Sequence, residues 1–150
     1  MAYHIKNGQS CFDINLDATV MYVSSGGYAR GIAVNTWGSM FVVGGSAENT
    51  QVNRAGVLHI SSGGKTLFTT VSNFGSMQVS EDAQATSTTL QGGSMDILSG
   101  GSAAVVTLTS GSMNVAAGGE ASDVTVSANA NVIASSGATV KDLTLLAGAL

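Results

Sequence analysis

The sequence predicts an all-β chain wound as a right-handed parallel β-helix, a solenoid of about eight coils of 18-19 residues. Three observations predict it. Equivalent apolar residues recur every eighteen or nineteen positions along all 150 residues. Between them lie short stretches in which apolar and polar residues alternate with period two, rich in Val, Ile and Thr. Glycines bound those stretches, 20 of them with no proline; each would cost a helix about 1 kcal/mol against alanine.

The repeat is plainest in GGSMDILSGG, residues 92–101, and SGSMNVAAGG, residues 110–119. A first apolar row runs Tyr3, Met21, Met40, Leu58, Met77, Met95, Met113 and Val132. Two places on, a second reads Ile5, Val23, Val42, Ile60, Val79, Ile97, Val115 and Ala134. A turn follows each pair, marked by Gly26-Gly27, Gly44-Gly45, Gly63-Gly64, Gly100-Gly101 and Gly118-Gly119, with Gly8-Gln9, Asp82-Ala83 and Gly137-Ala138 as variants. Such pairs suit a corner, where positive φ and close backbone approach are needed. A third row is Leu16, Val34, Val52, Val71, Leu90, Leu108, Val126 and Leu145. Two places before it stand Ile14, Ile32, Thr50, Thr69, Thr88, Val106, Val124 and Leu143. A further glycine then closes most copies, as at Gly38, Gly56, Gly75, Gly93 and Gly111. Each repeat therefore reads as two alternating stretches and two turns. The copies fill residues 1-150 as a single β-helix domain.

A hairpin meander would set unlike residues across each ladder. Here the residue that aligns with each position is its own counterpart one repeat away, the signature of a parallel coil whose windings stack at about 4.8 Å. Like then packs on like, and eight windings make a rod roughly 38 Å long. One winding alone cannot offset its backbone entropy of about 1–2 kcal/mol per residue; its neighbours must bury its apolar rows. The right hand follows the general preference of parallel crossovers. The column Met21, Met40, Leu58, Met77, Met95, Met113, Val132 reads as an inward core ladder and not as soft-metal ligands, because thioethers fill irregular interiors.

Composition excludes several functions. Lys6, Arg30, Arg54, Lys65 and Lys141 are scattered and the net charge is −4. No basic cluster exists to neutralise phosphates, so nucleic acid is not a partner. No apolar run is long enough to cross a bilayer, so this segment does not insert into a membrane. MAYHIKNGQS lacks the charged and apolar regions of a secretory signal. The single cysteine, Cys11, rules out an internal disulfide and has no basic neighbour in sequence to activate it.

Catalysis finds no constellation. Asp123 and Asp142 share one phase in adjacent coils and read as a solvated pair, with a weak cation site as the alternative. Asp96 sits in an outward polar ladder with Gln78 and Asn114. His4 and His59 point outward, three coils apart, too far to share a ligand. The expectation is no enzyme, no cofactor and no metal. Tyr22, Phe41 and His59 lie on the outer row of His4, and Trp37 lies near them by phase. Exposed rings of this kind stack on sugars or pack on a partner, so Tyr22, Trp37, Phe41 and His59 are candidate contacts for a glycan or for a partner protein. Phe74 shares the corner of Trp37, with Ala55 between them.

The stretch GGSMDILSGGSAAVVTLTSGSMNVAAGGEASDVTV resembles the AIDA-type repeats of bacterial autotransporter adhesins and related large surface proteins. The shared pattern is Gly-Ser-Met-x-Val/Ile, a Gly pair, x-Ala, then a Thr-containing segment ending in Val or Leu, and it covers essentially the whole chain. The resemblance implies a β-helix that is part of a longer protein at the bacterial cell surface, exported by a signal outside this segment, with host or bacterial surface glycans as partners. It implies adhesion, self-association or biofilm formation, and O-heptosylation of Ser and Thr by a cytoplasmic heptosyltransferase. Acceptors matching that expectation are the outward row Thr70, Thr89, Thr107, Thr125 and Thr144, with Ser24, Ser61, Ser62, Ser80, Ser99, Ser135 and Ser136 beside the turns. Beside this stands the plainer reading that Thr favours strands and Ser favours turns. The alternatives to an adhesive passenger are a carbohydrate-binding or carbohydrate-processing β-helix and a passive spacer.

A solenoid exposes unpaired groups at its ends. The closing LTLLAGAL is apolar, and Leu150 falls where a ninth member of the methionine row would stand. The expectation is a bare C-terminal end that meets like chains, with the sides offering a second route to self-association.

Overall fold

The computed structural model describes residues 1–148. Among them there are strands and no helix, wound as a parallel solenoid of about eight turns. Strand pairings join residues one winding apart: Tyr3 to Met21, Met21 to Met40, Met40 to Leu58, Leu58 to Met77, Met77 to Met95, Met95 to Met113 and Met113 to Val132. Every one of these ladders is parallel, and the methionine-row stretches pair like with like; the last two ladders shift register only before that stretch, between Leu90 and Ser94 and between Leu108 and Ser110. The expected methionine column is therefore a physical column, and from Met21 to Met113 it is wholly shut off from solvent.

Each winding carries three strand segments, not the two that alternation suggests. The first holds the methionine row, as in Ser39–Val43 and Val57–Ser61. The second and third together make up the longer strands, such as Ser46–Val52 and Lys65–Ser72, but a residue at positive φ bends each of these in the middle. That residue is Asp13, Gly31, Asn49, Phe68, Ser87, Val105, Asp123 or Asp142 in successive windings, with φ between 50° and 69°. It makes a corner that the alternation hides, and at Phe68 and Val105 a left-handed backbone is imposed on side chains that disfavour it by about 1–2 kcal/mol. The surrounding ladders hold it there: the Asp13 N–H donates to the Arg30 carbonyl at 2.9 Å and the Gly31 N–H to the Glu48 carbonyl at 3.0 Å.

The extra corner creates an inner row with only a weak sequence signal. Cys11, Ala29, Ala47, Thr66, Ala85, Ala103 and Ala121 line the second face and are buried. Their small size lets that wall approach the long thioethers opposite; Cys11 Sγ lies 4.0 Å from Met21 Sδ. Burial raises the Cys11 thiol pKa, which keeps it protonated and inert.

The other two corners explain the glycines. At the first, Gly63 adopts φ 80° and the buried Gly64 passes so close to the preceding winding that a Cβ would fall on the Val42 carbonyl oxygen. At the third corner, Cβ atoms on Gly56 and Gly75 would likewise fall on the carbonyl oxygens of Val34 and Val52. Windings can stack at strand spacing there only if the corner residue has no side chain.

The end of the described chain departs from the expected burial. Ala134, Leu143 and Leu145 belong to inward rows yet are exposed, and Val132 is only partly buried. No winding among the described residues covers that side of the stack, so these rows lack their next layer. Tyr3 and Ile14, in the first winding, are partly buried for the same reason. Leu150 lies outside the described residues.

Candidate functional site

The outward rows form continuous side-chain ladders, because register brings each residue over its counterpart. On the methionine face, His4 stacks on Tyr22 with ring centroids 5.1 Å apart, Tyr22 on Phe41 at 5.2 Å and Phe41 on His59 at 4.9 Å. The planes lie within 10° to 14° of parallel. The ladder continues in polar form: His59 Nδ1 lies 2.9 Å from the accepting Gln78 Oε1, and Asn114 Nδ2 donates to Asp96 Oδ1 at 2.8 Å. Four rings that stack on one another spend their faces within the ladder and turn edges outward. Tyr22, Phe41 and His59 are thereby brought together, as a strip that stiffens the face.

Trp37 is not part of that strip. It sits at the third corner, 75% exposed, and pairs with no aromatic ring among the described residues. Phe74 occupies the same corner two windings on and is 87% exposed. Both have positive φ, 59° and 64°, as does Ala55 between them at 63°.

The hydroxyl row is in place on the third face. Thr70 pairs with Thr89, Thr89 with Thr107, Thr107 with Thr125 and Thr125 with Thr144. Thr70, Thr89 and Thr107 line an open groove of about 490 Å3 along the second corner, with Phe68, Ser87 and Val105 on its rim. A neighbouring groove of about 660 Å3 continues it past Asn49 and Gln51 to Phe12, Asp13 and Arg30. Ser62, Ser99, Ser135 and Ser136 are exposed beside the first corner, and Ser24, Ser61 and Ser80 are partly so. All twelve hydroxyls named from the sequence therefore lie outside the core.

One charged cluster appears on the second face. The Tyr28 hydroxyl donates to Glu48 Oε2 at 2.5 Å, and Arg30 Nε lies 3.8 Å from Glu48 Oε1. Tyr28 stands over Ser46 and Arg30 over Glu48 in the ladder, so the pairing is between neighbouring windings. The hydrogen bond to Glu48 raises the Tyr28 phenol above its ordinary pKa, helped by desolvation and the carboxylate charge and opposed by Arg30. A phenol with a raised pKa in the folded state holds its proton longer folded than unfolded. Its contribution is thus fully present below the ordinary tyrosine pKa and is lost as pH rises through the folded value. Thermal unfolding followed through the alkaline range will show a decline that Tyr28→Phe flattens, with no difference between the two proteins' pH profiles near neutrality.

Among the described residues no group of three or more His, Cys, Asp or Glu side chains is arranged to hold a metal ion. Asp123 and Asp142 occupy the same corner in adjacent windings, both exposed at φ 50°. No helix among them is long and apolar enough to cross a membrane.

No protein-family model matches this chain, and no curated protein matches it. Among solved structures it is similar to the crystal structure of a TibC-catalysed, hyper-glycosylated fragment of TibA, TibA55-350. The two agree with a TM-score of 0.66 and 28% sequence identity over 93% of this chain and 59% of that one.

Proposed function

We propose that this chain is a non-catalytic, adhesive passenger segment of a bacterial surface protein, a β-helix of the AIDA type that carries O-linked heptose on its outward Ser and Thr residues. The observation that carries the reading is the register of the hydroxyl row. Thr70, Thr89, Thr107, Thr125 and Thr144 repeat at one strand spacing along the rod, outside the core. Such a row presents equivalent acceptors at regular intervals to one transferase. The similarity to a hyper-glycosylated fragment supports it, as does the AIDA-like repeat. The weakly charged sides suit association of like chains through many weak hydrogen bonds. Export to the cell surface through a signal outside this segment completes the proposal.

Intact-mass measurement of the protein from its native host tests it. A series of increments matching heptose is the expected result, and substitution of the five row threonines by valine shortens the series. An unmodified mass would return the chain to the passive spacer, or to the carbohydrate-binding module that the Trp37 corner favours.

A further inference from the structure

We infer that the third corner of the solenoid, across Trp37, Ala55 and Phe74, binds an extended chain of neutral pyranose sugars. Two of the most exposed large rings of the molecule stand on this one edge. Both occupy left-handed backbone positions, and the next winding fills the equivalent position with glycine, at Gly92. A bulky aromatic at such a position is disfavoured locally, and its exposure shows that core packing does not compensate for it. The stacking of the windings is in register at this corner: the Val57 N–H donates to the Gly38 carbonyl and the Ser76 N–H to the Gly56 carbonyl, each at 3.0 Å. Trp37 and Phe74 are therefore two windings apart, about 10 Å, with the small Ala55 leaving the space between them open. That interval fits every second residue of an extended β-1,4-linked pyranose chain lying along the rod, the intervening sugar crossing Ala55.

The flank of the corner supplies the polar half of a sugar site. A cleft of about 420 Å3 is lined by Asp17, Asn35, Asn53, Arg54 and Asn73. Asn73 immediately precedes Phe74, and Arg54 precedes Ala55. Asn53 is held by its ladder neighbours, donating to Asn35 Oδ1 at 3.4 Å and accepting from Ser72 Oγ at 2.5 Å. Side-chain amides, one guanidinium and one carboxylate offer donors and acceptors for hydroxyls with little net charge, which favours a neutral sugar over an anionic one. Aromatic faces with a few fixed polar groups beside them are what sugar recognition requires. This inference goes beyond the adhesive reading and stands or falls without it.

Trp37 is the chain's one tryptophan, so its fluorescence reports on this corner alone. Titration with cellohexaose and with the β-1,4 hexasaccharide of N-acetylglucosamine is the test, with glucose as the monosaccharide control. At least one hexasaccharide should shift Trp37 emission to the blue and saturate, while glucose does neither. Phe74→Gly should weaken that binding by about tenfold with the circular dichroism spectrum unchanged, and Trp37→Gly should abolish binding measured calorimetrically. The inference is overturned if neither hexasaccharide moves the emission, or if Phe74→Gly leaves the affinity as it was. It is equally overturned if emission shifts with protein concentration alone, for then a second copy of this chain occupies the corner.

Discussion

Met77→Ala will lower the free energy of unfolding by about 2–5 kcal/mol, the range for removing a large side chain from a closed interior. Met77 is fully buried at the middle of the methionine column, with Leu58 on one side and Met95 on the other in direct register. The wall facing that column is made mostly of alanines on a hydrogen-bonded frame, which cannot move inward to fill the void. Met77→Leu is the control. Leu58 already serves the same place one winding away, so this exchange should cost less than about 1.5 kcal/mol. Urea unfolding of the three proteins measures both numbers. A Met77→Ala protein as stable as its parent would mean that the column is not the packed interior of the rod.

Replacing the buried threonines of the third face by valine will have the opposite sign. Thr50, Thr69 and Thr88 stand in register in three successive windings, are almost wholly buried, and have hydroxyls without a hydrogen-bond partner. Leaving a buried polar group unpaired costs about 1–3 kcal/mol, and valine keeps the branched shape while removing the hydroxyl. The same row reads Val106 and Val124 in the next two windings, so the site accommodates valine on this backbone. Thr69→Val should therefore raise stability by on the order of 1 kcal/mol, and the triple variant by more than any single one. Because the three are neighbours, their effects need not add. A fall in the melting temperature of Thr69→Val would show that these hydroxyls are partnered after all.

The sequence makes the parallel winding legible because its largest inward residues carry the period themselves. Met77 and Met95 cannot be mistaken for surface, and their separation of one repeat fixes the register of everything between them. The second corner is hidden for the converse reason. Asp13, Gly31, Asn49, Phe68, Ser87, Val105, Asp123 and Asp142 have no chemistry in common; what they share is a backbone angle that the flanking ladders impose. Missing that corner turns three faces into two and leaves the small row of Ala29, Ala47 and Ala85 without a place. The outward rows were legible as rows, but their arrangement was not. Phase alone puts His4, Tyr22, Phe41 and His59 in line, and only the structure shows their rings lying on one another. Phase likewise sets Trp37 near them, but the glycine that follows it already marks it as a corner residue with Phe74, and the third corner keeps it apart from the ring strip. The exposed Leu143 and Leu145 show the limit of row assignment: an inward position is buried only when a further winding lies over it.

The strict like-over-like register also decides how such a molecule comes into being. Every ladder closes a loop of the same modest size, whichever winding is considered, so the entropy of closure does not grow with the length of the rod. Assembly can start wherever two windings first meet and then advance in both directions like a zip. A chain of this design delivered end-first through a narrow opening could stack each winding as it emerges, without waiting for the rest to arrive.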